Sequence, residues 1–351
     1  MKYKLFAFFA IFVLLASAVP FSFGDTIKKK PTRKRQVNPA VALLPASDIV
    51  AAIDIKRFFG QALPTILASN QPILSEITSK LDEIQSKSGI DLRQFDQVAI
   101  GASMKQIGAK EFDADPVVIA RGSFNLATLV AAAKIASNGT YREERVGDKT
   151  ISVFSVKDIA QKNAPTTSNS KVSGMIIRSV DSFTREIAVI ALNTNTLAIG
   201  SLARVKQTVD GRTHVDVEVS NLLSRKPGAL LSFAARTPTG MSNVLPLDND
   251  ELGKNLESIR YLYGSVDVAN NNAVVQFMAR TSGANQAQSL LETLQGLQVI
   301  GKAFLGGATG PDKQVFGRMI DNAQIARTGT DVTLDLSVAQ SDIDILVGKI
   351  K

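Results

Sequence analysis

Apolar positions along this chain follow two periods in turn. Ile49-Val50-Ala51-Ala52-Ile53-Asp54-Ile55 is a short apolar run behind a Pro-Ala-Ser turn and predicts a strand. From Phe58 to Lys87 the period lengthens: Leu74, Ile77, Leu81 and Ile84 form one helical stripe. Pro64 and Pro72 are expected to break this helix and Gly89 to stop it. Strands are predicted at 96–103 and 116–124, joined by a short acidic loop. Asn125 is the expected cap of a helix with the face Leu126, Leu129, Val130 and Ala133, ended by Asn138-Gly139. Hairpins follow at 140–156, turning at Gly147-Asp148, and at 187–200, turning at Asn193-Thr194-Asn195. A short helix starts near Ser201.

After Pro227-Gly228 the order begins again. A strand at 229–235, a helix at 249–258 and strands at 261–268 and 273–279 lead to a long helix at 285–305. That helix carries Leu290, Leu294, Leu297 and Gly301 on one side, and strands at 323–328 and 332–338 close the chain. The expected class is α+β: mainly antiparallel sheets with helices packed on one face, in two related tandem units at 40–222 and 227–351. One sheet continuous through both halves is the alternative. Residues 157–173 are rich in Pro, Ser, Thr and Asn and predict a mobile loop.

The N-terminus has a pattern of its own. Lys2 and Lys4 precede an apolar run from Leu5 to about Leu15, then Ala16-Ser17-Ala18. That three-part order predicts a signal peptide at 1–24 and export to a periplasm or the cell exterior. Leu5 to Phe23 is also long enough for an uncleaved anchor, which is the alternative. Residues 25–39 predict a disordered basic linker with Lys28, Lys29, Lys30, Arg33, Lys34 and Arg35. These six are the candidate contact to an anionic membrane surface; a solvated spacer is the plainer reading.

Charge changes the picture less than its total suggests. The formal net charge is +8, but eight of the 40 basic residues lie in the leader and linker, and the other 32 equal the 32 acidic residues. The body therefore makes no compositional case for nucleic acid. With no Cys, disulfides, thiolate nucleophiles and Cys-ligated metals are out. No Trp and four Tyr leave few platforms for stacking sugars or bases.

ALLPASDIVAAIDIKRFFG, IDLRQFDQVAIGAS and LNTNTLAIGSLARVKQTVDG resemble segments of a group of uncharacterised bacterial envelope proteins. In that group an "LPA" strand opens each α+β unit. The match covers about Val41 to Gly211. The resemblance implies architecture and address, and brings no activity or site residue with it.

No catalytic pattern is complete. The single histidine, His214, lies in THVDVEV, where alternating valines predict a strand with His214 on its exposed side. Ser168-Asn169-Ser170-Lys171 has serine–lysine spacing but sits in a loop, and Lys149-Thr150-Ile151 lacks the glycine of the partner motif. Glu111, Asp113 and Asp115, and Asp248, Asp250 and Glu251, are acidic clusters without a full calcium pattern. Residues 301–313 are glycine-rich but follow a helix, where a phosphate loop needs a strand. Asn138-Gly139-Thr140 matches a glycosylation sequon. No cofactor and no metal are expected. The leading function is a non-catalytic envelope module with a structural or interaction role and an unknown envelope partner. A carrier of lipid or another apolar ligand comes next, then a hydrolase built from scattered carboxylates.

Overall fold

The computed structural model describes residues 38–108, 111–136, 141–155, 186–238, 250–305 and 310–348. The leader, the basic run 28–35 and the loop 157–173 lie outside the described residues. So do Ser168, Lys171, Asp248 and the sequon. The chain divides into two compact units, Val37–Lys56 with Glu76–Ser220, and Arg57–Ser75 with Asn221–Lys351.

The first unit holds strands β1 (Ile49–Asp54), β2 (Phe95–Gly108), β3 (Glu111–Gly122), β4 (Tyr141–Val146), β5 (Lys149–Ser155), β6 (Glu186–Asn193) and β7 (Thr196–Gly200). Their spatial order is β1-β2-β3-β7-β6-β5-β4, with every pairing antiparallel. Helix α1 (55–66) carries the chain out of this unit and α2 (Gln71–Ser88) brings it back. Helices α3 (Leu126–Ala136) and α4 (Leu202–Asp210) belong to it, and α5 (Val217–Leu223) leaves it for good. Pro72 sits in the first turn of α2, where its missing N–H costs nothing. Pro64 lies inside α1, directly after a widened turn at Phe58–Ala62. The wider turn absorbs the strain that proline places on the preceding turn. Gly89 ends α2 at φ +70°, a conformation that favours glycine.

The second unit holds β8 (Leu231–Arg236), β9 (Ile259–Ala269), β10 (Asn272–Thr281), β11 (Gln324–Thr328) and β12 (Asp331–Val338). Its helices are α6 (Asp250–Glu257), α7 (Ala284–Leu305), α8 (Pro311–Asp321) and α9 (Gln340–Gly348). The spatial order is β8-β9-β10-β12-β11, again antiparallel. This is the order of β1-β2-β3-β7-β6 in the first unit. A helix follows the third strand of each set (α3, α7) and another follows the last (α4, α9). The first unit adds the β4–β5 hairpin where the second has α8.

Packing follows the strand alternation. In the first unit Phe95, Ala120 and Leu197 form a cluster with Phe124 and with Leu129 of α3. On the other side of the sheet, Leu44 and Ser47 close on Gly101. In the second unit Ala279 and Val332 pack with Ala287 and Leu290 of α7. Leu336 and Val338 pack with Val315 and Met319 of α8 and Ile343 of α9. A leucine buried as fully as Leu290 contributes about 2 kcal/mol. The opposite side of β9, β10 and β12 carries Tyr263, Gln276, Arg280, Asp331 and Asp335.

Two expectations are corrected. THVDVEV is not a strand: Asp216 Oδ1 accepts from the backbone N–H groups of Glu218 and Val219 and starts α5. Val215 and Val219 are buried, but Val217 is 75% exposed, because a helical turn rather than a pleat places it. The acidic loop between β2 and β3 is not a loop either. Both strands run on through it, pairing Lys105 with Asp113 and Ser103 with Asp115. Two further helices, α8 and α9, lie where the sequence pattern predicts no element.

Candidate functional site

Two groups of charged side chains among the described residues are tied into the fold. In the first unit Arg204 of α4 is buried. Its guanidinium donates to Ala46 O at 2.8 Å, Ser47 Oγ at 2.7 Å and Gln207 Oε1 at 2.8 Å. Burial pushes this guanidinium down from its usual value, and the charges of Asp115 and Asp48 pull it back. The Pro-Ala-Ser turn and the Gly-Ser-Leu-Ala-Arg segment therefore meet at one structural staple. Ser201 caps α4, accepting from Arg204 N at 3.2 Å and donating to Asp115 Oδ2 at 3.1 Å.

In the second unit Asp331 collects four donors. Arg280 Nε reaches Oδ1 at 2.7 Å and Nη2 reaches Oδ2 at 3.1 Å. Arg225 Nη1 and the Tyr263 hydroxyl reach Oδ2 at 3.1 and 2.8 Å. Burial works against the charged form of Asp331, but the hydrogen bonds from Arg280 and Tyr263 outweigh it and hold the carboxyl below its usual range. Burial, then the bond to Asp331, pushes the Tyr263 phenol up to about 12. Asp335, four residues along β12, is pushed up by burial despite the bond from Gln276 Nε2 at 2.7 Å. Four residues of strand separate two side chains by roughly 13 Å. That is beyond the ~9.5 Å limit for a glycosidase carboxylate pair.

The other candidates do not assemble. His214 is exposed, in the loop before α5. Lys149 Nζ donates to Leu192 O at 3.0 Å. Among the described residues no three of His, Cys, Asp and Glu come together to hold a metal ion. A cleft lined by Ile90, Asp91, Gln94, Phe124 and Leu129 encloses about 20 Å³, the space of one water. Gly310 and Pro311, the described end of the glycine-rich stretch, only start α8. The six basic residues Lys28–Arg35 lie outside the described residues.

One feature is not absorbed by the fold. Helix α7 turns by about 100° per residue, so its sides can be read directly. Ala287, Leu290, Leu294, Gln298 and Gly301 share the inner side. Gln298 Nε2 donates to Ile320 O and Ala323 O at 2.9 and 2.7 Å, and Gly301 meets Ile320. Lys302 and Asp321 stand 3.6 Å apart. These contacts pin α7 against α8. The outer side of the first half is polar, with Asn285, Gln286, Ser289 and Glu292. At Leu297 it turns apolar. Leu297 is 43% exposed, Val299 and Ile300 66% and Phe304 83%; on α8, Phe316 is 40% exposed. The sequence stripe puts Leu297 with the core residues, whereas the fold leaves it in solvent. Val299, Ile300 and Phe304 lie off that stripe, and their one signal in the sequence is the apolar run of 297–305.

No protein-family model and no curated protein matches this chain. Among solved structures, crystal form III of TP0453 matches with a TM-score of 0.45 at 8% identity, over 90% of this chain and 100% of that one. Crystal forms IV and I of TP0453 match with TM-scores of 0.42 and 0.40 at 9% and 10% identity, over 90% of this chain and 98% and 99% of theirs. Matches at these scores carry no weight for family or function.

Proposed function

We propose that this chain is a non-catalytic, exported envelope protein that works as an interaction module, with the apolar end of α7 and Phe316 as its docking surface. The observation that carries the reading is the change along the outer side of α7, from Asn285, Gln286, Ser289 and Glu292 to Leu297, Ile300 and Phe304. A contiguous apolar surface on one helix end marks a place of contact. The cluster at Asp331 supports a non-catalytic role, because the carboxylate is engaged by Arg280, Arg225 and Tyr263. Export rests on the N-terminal pattern in the sequence. The shared strand order of the two units supports their origin by duplication.

The reading is tested with a photoreactive side chain placed at Ile300 and, as control, at exposed Gln288, in the producing cell. Adducts at position 300 and none at 288 are expected. Equal background at both positions contradicts the reading.

A further inference from the structure

We infer that the partner of the α7 surface is an anionic lipid bilayer, into whose headgroup region the last turns of α7 settle. The inference rests on the reading of that surface as a docking site and names its occupant.

Breadth favours a bilayer first. At about 100° per residue, Leu297, Phe304, Ile300, Ala303 and Val299 span an arc of roughly 160°. A helix laid on a protein core needs a stripe of at least about 100°. An exposed arc this wide fits immersion in a continuous apolar medium. Length points the same way. Residues 296–305 rise about 15 Å, half of the ~30 Å hydrocarbon layer. The segment is too short to cross, and no helix among the described residues is long and apolar enough to do so. It matches a helix lodged at the interface.

Charge supplies the preference for anionic lipid. From Thr293 to Pro311 the single ionisable side chain is Lys302. It sits beside the apolar arc and faces Asp321 at 3.6 Å, an exposed pair weak enough for the ammonium to exchange Asp321 for headgroup phosphates. Exposed Lys313 follows in the first turn of α8, beside Asp312. The chain carries six more cations at 28–35. Basic side chains beside an apolar helix face are drawn to anionic lipid. Because Gln298 and Gly301 hold α7 on α8, the surface is formed before contact and does not fold upon it.

The test is co-flotation of the purified mature chain, from Asp25 on, with phosphatidylcholine vesicles, with and without phosphatidylglycerol. The chain is expected to float with the anionic vesicles, less at high salt. Ile300→Glu with Phe304→Glu is expected to lower the bound fraction about tenfold, with an unchanged melting curve because both side chains are exposed. Lys302→Gln is expected to lower it less. A variant with the six N-terminal cations changed to Gln should keep the sensitivity to Ile300→Glu. Flotation by the double variant equal to that of the parent overturns the inference, as does absence of flotation with either vesicle. If flotation fails but position 300 still forms adducts with a protein in the cell, the docking surface stands and only the lipid assignment falls. If both fail, both fall.

Discussion

The phenol of Tyr263 on β9 donates to Asp331 on β12 at 2.8 Å, across the strand that lies between them. Arg280, on that intervening strand β10, is paired in register with Asp331, and Arg225 donates to both the phenol oxygen and the carboxylate. One carboxylate thus fastens three strands and a loop. Asp331→Ala leaves two guanidiniums and a buried hydroxyl without their acceptor and is expected to cost about 3 kcal/mol. Arg225→Ala removes a side chain 36% exposed to solvent and is expected to cost no more than about 1 kcal/mol. Urea unfolding of the two variants measures the difference; equal losses would contradict the central place given to Asp331.

The same cluster sets a pH response. Tyr263 is raised to about 12, so its neutral form is favoured in the fold. The associated stability is complete below the unfolded tyrosine value of about 10 and is lost as pH climbs through 12. The absorbance titration of the parent minus that of Tyr263→Phe is expected to have its midpoint near 12. Asp331 is lowered, so its contribution is present above the unfolded carboxyl value and disappears as pH falls through its own. Asp335 is raised and acts in the opposite sense: its neutral form suits the fold, and stability is lost as pH rises through its value. Asp335→Asn is therefore expected to raise the midpoint of thermal unfolding at neutral pH, while Asp331→Asn lowers it.

Two glycines separate close packing from open space. The rings of Phe233 and Phe277 lie 5.2 Å apart, and both are paired in register with Gly264 between them. A Cβ at Gly264 would stand 2.2 Å from Gln276 O and 2.7 Å from Phe233 Cζ. Gly264→Ala is expected to destabilise by about 2–3 kcal/mol. Gly317, inside α8, has nothing within 4 Å of such a Cβ. Gly317→Ala is expected to stabilise by about 0.5–1 kcal/mol. Thermal unfolding distinguishes the two signs.

Where one local interaction decides the backbone, the sequence is readable. Gly147 turns the β4–β5 hairpin at φ +62°, Asn125 Oδ1 accepts from Thr128 N at 3.2 Å, and Ser201 caps α4. It misleads where two local signals compete. Three alternating valines at 215–219 describe a strand, yet the cap supplied by Asp216 wins and leaves Val217 in solvent. Val315 and Met319, one helical turn apart and both buried, are the signal for α8, hidden behind the glycines that precede it. The proposed docking surface lies beyond periodicity altogether. Leu290 and Leu297 look alike in the sequence, but Leu290 packs on Ala279 and Val332 of the sheet whereas Leu297 is 43% exposed.

What surrounds the end of α7 when the protein is at work decides between a lipid surface and solvent. The chain has no cysteine, so one introduced thiol can carry a polarity-sensitive dye without background. The deciding measurement is the emission of such a dye at position 304, and at 288 as control, on adding anionic vesicles. A blue shift at 304, quenched by lipid-borne quenchers and absent at 288, is the predicted result. An unchanged spectrum at 304, or equal shifts at both positions, would contradict the account.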